Sequence, residues 1–347
     1  VEIIIEAKTG PLAFATLPSE TILAAGLRQG VALPYECATG ACGTCHARLI
    51  DGAIDEGWLQ APGRQGLKAA RREFLMCQAA PLTDCRIALS NSMATWRAGS
   101  ERPATLAARV DRLEPLTHDM LSLVLMLERP MAFEAGQFAL LAAPGIDGFR
   151  AYSMANGETP SRRLDFIIKR KPDGGFSDWL FTRARPGGLL SLFGPLGAAV
   201  LEPSLGHDLL MIVGGSGLAV ALSILTRAAG EGYLARHRAR LFFGVRTMRD
   251  AAALQQISLW RERFGADFEA TVALSEAPAA AAERALWPRL CFEEGMVHEA
   301  VARGLDGQPR NTMAFLAGPP PMVDAAMRVV MLKGRLPPSR IRFDKFS

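Results

Sequence analysis

Cys37-Ala38-Thr39-Gly40-Ala41-Cys42-Gly43-Thr44-Cys45 is the stretch that decides how this chain is read. With Cys77 well downstream, the spacing is C-x4-C-x2-C and a distant fourth cysteine, which is the ligand spacing of a [2Fe–2S] cluster. Two irons need four converging thiolates, so three of them come from one loop that wraps the cluster. Gly40, Ala41 and Gly43 are small enough to let that backbone come close, and their amides can donate hydrogen bonds to the sulfurs. A disulfide pair, a zinc knuckle or scattered buried cysteines are the alternatives. A structural zinc site usually carries two short pairs, whereas this chain has a triplet and an outlier. Cys37, Cys42, Cys45 and Cys77 are therefore the expected metal ligands.

Composition bounds the rest. The chain has 347 residues, 49% of them hydrophobic, and a formal net charge of +4. That is enough for two or three cored domains, and it excludes global disorder. No Lys/Arg block dominates, which argues against a nucleic-acid footprint. The local run Lys169-Arg170-Lys171 suits a solvated face or a phosphate or partner contact, and Lys169 joins the expected cofactor-binding set. The five histidines are scattered without metal spacing. Cys85 and Cys291 lack an obvious partner. Free thiols beside an iron–sulfur loop fit a reducing compartment, so a cytoplasmic location is expected. The opening Val1–Ile5 run reads as a strand and not as a signal peptide. Residues 209–226 carry no charge and reach the length at which a membrane span is considered. Gly214-Gly215-Ser216-Gly217 interrupts that run, so a buried strand, a Gly turn and a buried helix are expected there.

Four segments follow in order. Residues 1–92 hold strands at 1–6 and 12–17, a turn at Thr9-Gly10-Pro11, a helix at 22–29, the cysteine loop, and strands at 46–50 and 86–89. At Pro34-Tyr35-Glu36-Cys37 and Gly43-Thr44-Cys45 this unit resembles the plant-type ferredoxin domain, which implies a β-grasp fold. Residues 93–103 read as a linker. Residues 104–205 are rich in short strands (121–127, 137–142, 164–169 and 189–193) divided by Gly and Pro. This pattern predicts an antiparallel β-barrel with one helix from Phe176 to about Ala184. Residues 206–347 alternate strands and helices and predict an α/β doubly wound parallel sheet. The predicted fold is thus multidomain.

The barrel contains Arg150-Ala151-Tyr152-Ser153, followed later by Gly174-Gly175-Phe176-Ser177. These runs resemble the flavin-binding motifs of the ferredoxin–NADP reductase superfamily. The resemblance implies FAD, with Tyr152 packed on the isoalloxazine, Ser153 near its N5 and Arg150 on the pyrophosphate. A guanidinium fork suits a pyrophosphate. Gly174, Gly175, Phe176 and Ser177 offer amides and a hydroxyl to an anion at a helix start. Three further stretches end strands of the α/β segment, where ligands of such sheets lie. Gly214, Gly215 and Gly217 resemble the family's dinucleotide phosphate loop. Arg246 follows Gly244-Val245 near the adenosine end. Gly318 and Pro319 belong to Ala317-Gly318-Pro319-Pro320-Pro321-Met322, which resembles the family's Cys-Gly-Pro-Pro-x-Met. Asp344 and Phe346 sit in the closing Phe343-Asp344-Lys345-Phe346. There the resemblance implies an aromatic over the flavin and a carboxylate that assists proton balance, with Phe343 as the other aromatic choice.

The whole order resembles the reductase component of bacterial multicomponent oxygenases, those of ring-hydroxylating dioxygenases and soluble diiron monooxygenases. The resemblance implies electron transfer from NADH or NADPH, with NADH expected, through FAD and the cluster to a ferredoxin or oxygenase component in aromatic or hydrocarbon oxidation. A nicotinamide gives two electrons as hydride and a cluster accepts one at a time, so a flavin belongs between them. Two departures stand out: Ala317 where the family has Cys, and Val220 where it has Pro. They support a second expectation, a relative with weakened nicotinamide chemistry that acts as a redox-sensing partner, for example of a transcription regulator.

Overall fold

The computed structural model describes residues 1–6, 11–93, 100–172, 174–305 and 311–346. Most of the expected Thr9-Gly10-Pro11 turn and of the 93–103 linker lies outside the described residues. The first unit contains β1 (Glu2–Glu6), β2 (Leu12–Ala15), α1 (Ile22–Arg28), β3 (His46–Asp51), β4 (Ile54–Asp55), β5 (Glu73–Leu75), β6 (Ala80–Pro81) and β7 (Cys85–Leu89). Its main sheet has the order β2-β1-β7-β3-β5, with α1 packed across it, as expected of a β-grasp. Thr21 caps α1 through a hydrogen bond accepted from the Ala24 amide. The sequence reading passed over β4, β5 and β6, which are two or three residues long.

The second unit is made of β8 (Ala104–Pro115), β9 (Met120–Met131), β10 (Phe138–Ala142), β11 (Arg150–Ser153), β12 (Ser161–Lys169), α2 (Gly175–Thr182) and β13 (Leu189–Leu196). Its six strands pair antiparallel in the order β11-β10-β13-β8-β9-β12. The ends meet through a bridge between Met154 and Phe166, and the Ala155 amide donates to the Asp165 carbonyl at 2.6 Å. The sheet therefore closes into the expected barrel. The interior is filled by Leu106, Leu123, Leu125, Leu141, Phe166, Ile168 and their neighbours.

The third unit runs β14 (Asp208–Gly214), α3 (Leu218–Gly230), β15 (Ala239–Val245), α4 (Leu254–Phe264), β16 (Phe268–Leu274), α5 (Ala281–Leu286), β17 (Cys291–Glu294), α6 (Val297–Gly304), β18 (Thr312–Gly318), α7 (Pro320–Leu332) and β19 (Ile341–Lys345). All its strand pairs are parallel, in the order β17-β16-β15-β14-β18-β19. The order turns back between β14 and β18, and at such a switch a crevice opens outside the strand ends. Both sheet faces are buried, which explains the uncharged runs of the sequence. Leu209, Met211 and Val213 face α3 and the barrel, while Leu210 and Ile212 face α6 and α7. The apolar stretch 209–226 is the expected strand, turn and helix. No helix among the described residues is long and apolar enough to cross a membrane.

The units share cores. Phe138, Leu140, Phe193 and Leu196 of the barrel pack into the same cluster as Ile3, Leu33 and Phe74 of the first unit. Met120, Ala135 and Ile167 of the barrel join the cluster of β14 and α3.

Candidate redox sites at the domain junctions

The cysteine loop folds as its composition demands. Gly40 and Gly43 take φ of +87° and +79°, a region open to glycine at no steric cost. The Cys42 and Thr39 amides point at Cys37 Sγ (3.4 and 3.5 Å), and the Thr44 amide at Cys42 Sγ (3.4 Å). The four thiols form two facing pairs, Cys37 with Cys42 and Cys45 with Cys77, each within hydrogen-bond reach. Two thiol pairs are what two tetrahedral irons require, so the donor set fits the cluster. Cys45 and Cys77 are buried and Cys42 is exposed, so one edge of the site faces solvent. Sequence reasoning missed Gly63. Its amide donates to the Gly40 carbonyl at 2.8 Å, and a Cβ there would lie 2.6 Å from the Gly43 nitrogen.

On β11, alternation separates neighbours. Tyr152 packs with the barrel core and lies 5.7 Å from the Phe176 ring. Ser153 turns to the other face, the one on which Ala151 meets the first unit's core. Ser153 Oγ is sealed from solvent without a hydrogen-bond partner. Arg150 is exposed, with Nη1 donating to the Phe149 carbonyl at 3.0 Å. The start of α2 lies on the same barrel. The Ser177 hydroxyl is engaged inside the turn, accepting from the Lys171 amide at 3.0 Å, so the first-turn amides remain as the anion donors.

A chain of contacts joins the barrel to the first unit here, and a carboxylate of the third unit comes within electrostatic reach of it. Ser153 pairs in register with Phe138, and Phe138 lies against Gly197. The Gly197 amide donates to the Tyr35 hydroxyl at 3.0 Å, two residues before Cys37. Tyr35 and Glu36 both lie within electrostatic reach of Asp344. Asp344 Oδ2 is sealed and unpartnered; burial, with Glu36 nearby, pushes this carboxyl up to about 7. Asp344 pairs in register with Ala317 at the edge of the crevice. Phe346 packs on the barrel-facing side, while Phe343 packs on the opposite side with α7. That arrangement favours Phe346 over Phe343 as the aromatic near a flavin. Two orphaned polar atoms, Ser153 Oγ and Asp344 Oδ2, fit a bound ring with hydrogen-bonding edges.

At the crevice, two loops touch. A Cβ on Gly217 would collide with the Ala317 carbonyl, and one on Gly214 would lie 2.5 Å from Met322 Sδ. The glycines therefore serve loop-to-loop packing as well as ligand approach. Pro319 precedes α7, and Gly318 has φ of +149°. Val220 is buried in the first turn of α3, which keeps its helical form without the proline. Lys169 Nζ lies 3.1 Å from Asp119, and Arg246 lies 2.9 Å from Asp250.

Comparison with known proteins agrees with this anatomy. Residues 12–82 match the 2Fe-2S iron-sulfur cluster binding domain, 107–200 the oxidoreductase FAD-binding domain and 211–328 the oxidoreductase NAD-binding domain. The chain is 35% identical to the ferredoxin–NAD(P)(+) reductase CarAd of Metapseudomonas resinovorans, over 94% of each chain. It is 32% identical to the ferredoxin–NAD(+) reductase component of the alkene monooxygenase system of Xanthobacter autotrophicus, covering 96% of this chain and 97% of that one. Among solved structures, the ferredoxin reductase in carbazole 1,9a-dioxygenase superposes with a TM-score of 0.85 at 33% identity, covering 99% and 98% of the two chains. A cluster loop, a flavin barrel and a dinucleotide sheet in one chain define an electron-transferring iron–sulfur flavoprotein. The chain belongs to the family of reductase components of bacterial multicomponent oxygenases. It is an oxidoreductase whose cofactors are a [2Fe–2S] cluster, FAD and NAD(P)H.

Proposed function

We propose that this chain draws electrons from NADH and delivers them to a ferredoxin or directly to an oxygenase component acting on an aromatic or hydrocarbon substrate. The observation that carries the reading is the contact chain from Ser153 through Phe138, Gly197 and Tyr35 to the cluster loop, with Asp344 within electrostatic reach of Tyr35. It sets the expected flavin edge and the thiol site on one continuous packed seam. The bound flavin would supply the exchange between two-electron and one-electron chemistry.

The residues then have distinct work. Cys37, Cys42, Cys45 and Cys77 hold the cluster. Tyr152 and Phe346 flank the flavin and exclude water. Ser153 offers its hydroxyl to the ring edge. Asp344, poised near 7, holds or yields a proton at Oδ2 beside that ring. Arg150 and the α2 start, Gly174, Gly175, Phe176 and Ser177, bind the FAD phosphates. Gly214, Gly215, Gly217, Gly318, Pro319, Lys169 and Arg246 form the nucleotide crevice. Ala317 brings no side-chain polarity to the nicotinamide. The relatives' names favour a working reductase over the redox-sensing regulatory alternative. No cysteine among the described residues forms a disulfide, which supports a cytoplasmic setting.

Anaerobic stopped-flow mixing of the loaded protein with NADH tests the reading. The flavin absorbance bleaches first and the cluster absorbance follows. Flavin bleaching that leaves the cluster oxidised would sink it.

A further inference from the structure

Arg246 stands at the end of β15, the strand next to the one carrying the phosphate loop. In doubly wound dinucleotide folds, the acidic or basic group beyond the second strand reads the adenosine 2′ position: a carboxylate takes a ribose hydroxyl and an arginine takes a 2′-phosphate. A lone arginine there would favour the phosphorylated nucleotide. Here the guanidinium is not alone. Its Nη2 lies 2.9 Å from Asp250 Oδ1 on the same loop and 3.6 Å from Asp119 Oδ2 on the barrel. Glu276 adds a third carboxylate within electrostatic reach, and its amide donates to the Arg246 carbonyl at 2.9 Å.

Asp119 is the unusual member because it belongs to another domain. It sits in the hairpin between β8 and β9. Its Oδ1 accepts from the Thr117 hydroxyl at 3.1 Å, and its carbonyl accepts from the Arg170 amide at 2.7 Å. Oδ2 faces Lys169 Nζ at 3.1 Å and Arg246 at 3.6 Å. His118 Nε2 approaches the same carboxylate at 3.9 Å and Asp250 at 4.0 Å. One barrel carboxylate thus faces two of the three cations of a cleft lined by Asp119, Lys169, Arg170, Pro172, Asp178 and Arg246, while the third, Arg170, is paired with Asp178 at 2.7 Å.

We propose that Asp119 is a positioning residue for nucleotide selection: by holding Arg246 and Lys169 across the domain boundary, it denies them to a 2′-phosphate. This rests on the reading of the crevice as the dinucleotide site. Asp250 is buried and bound by the Thr247 amide and hydroxyl at 3.0 and 2.8 Å, so it is fixed in place. Asp119 is therefore the partner that decides how much positive charge the cleft presents. A 2′-phosphate carries nearly two negative charges and is repelled by an intact Asp119. A ribose hydroxyl is indifferent to it.

The test compares full-length, flavin- and cluster-loaded wild type with Asp119→Asn at low ionic strength. The ratio of kcat/KM for NADPH to that for NADH rises roughly tenfold or more, the size of one charge-assisted hydrogen bond. Calorimetry with 2′,5′-ADP and 5′-AMP shows the same shift in relative binding without turnover. Asp119→Glu keeps the wild-type ratio, and Asp119→Asn gains nothing once Arg246→Ala and Lys169→Ala are both present. Unchanged ratios in both assays overturn the proposal, as does a gain that survives without Arg246 and Lys169. Wild type that neither nucleotide reduces would count against the proposed function, while the adenosine phosphate titrations would still decide the role of Asp119.

Discussion

Asp344 is a carboxyl placed where ionisation is costly. Its folded pKa of about 7 lies above the roughly 3.9 of an unfolded aspartate. Between those values the folded chain binds the proton and the unfolded chain releases it. Stability therefore falls as pH rises from about 4 through about 7 and levels off above. Asp344→Asn mimics the protonated acid and lacks this loss. In urea unfolding of flavin-free protein, the variant gains on the wild type as pH is raised from 5 to 8. A constant gap across that range would show that the carboxyl titrates normally. The sequence disclosed Asp344 as a candidate but not its surroundings. Its environment depends on β19 pairing with β18, and on a seam formed by Tyr35 and Glu36 some 300 positions earlier. Asp119 escaped notice for the same reason. In sequence it is one more polar residue in a hairpin turn, and only the packing of barrel on sheet brings Arg246 to it.

Among the elements, the cysteine loop and the Gly-rich turns were legible because each has a fixed local spacing. The sheet alternation was legible because strands buried on both faces leave uncharged runs. Other boundaries were set by side-chain hydrogen bonds that spacing does not reveal. The helix α4 starts only at Leu254: Thr247 and Asp250 close a capping box around a short turn before it, and Ala253 adopts φ of +56°. Strand β8 hides its alternation behind alanines, which carry little strand signal. Gly63 has no motif around it, yet it braces the cluster loop. Gly63→Ala forces a Cβ into the Gly43 backbone, a strain of about 1–3 kcal/mol confined to that loop. The expected result is substoichiometric iron with FAD retained, measured by metal analysis and flavin absorbance. Full iron occupancy would show that the loop tolerates a Cβ at position 63.

At the scale of the whole molecule, the sequence disclosed the order of domains but not how tightly they join. The first unit and the barrel share one apolar cluster, and Tyr35 ties them with a hydrogen bond. Tyr35→Phe leaves the Gly197 amide unpaired at a buried junction, which costs about 1–3 kcal/mol. Thermal unfolding should then start at a lower temperature. The bleaching of the cluster, but not of the flavin, should slow in stopped flow. An unchanged cluster phase would mean that the tie is dispensable for transfer.

That shared cluster also limits how such a protein can be rearranged. Phe138, Leu140, Phe193 and Leu196 lie on the barrel wall but are kept dry by the neighbouring unit. Replacing the first unit with a free-standing electron carrier would strand these four side chains in water and invite self-association. The electron outlet is therefore not an interchangeable cassette. A graft succeeds only if it brings its own matching apolar seam, and lineages that exchange this module must exchange the barrel wall with it.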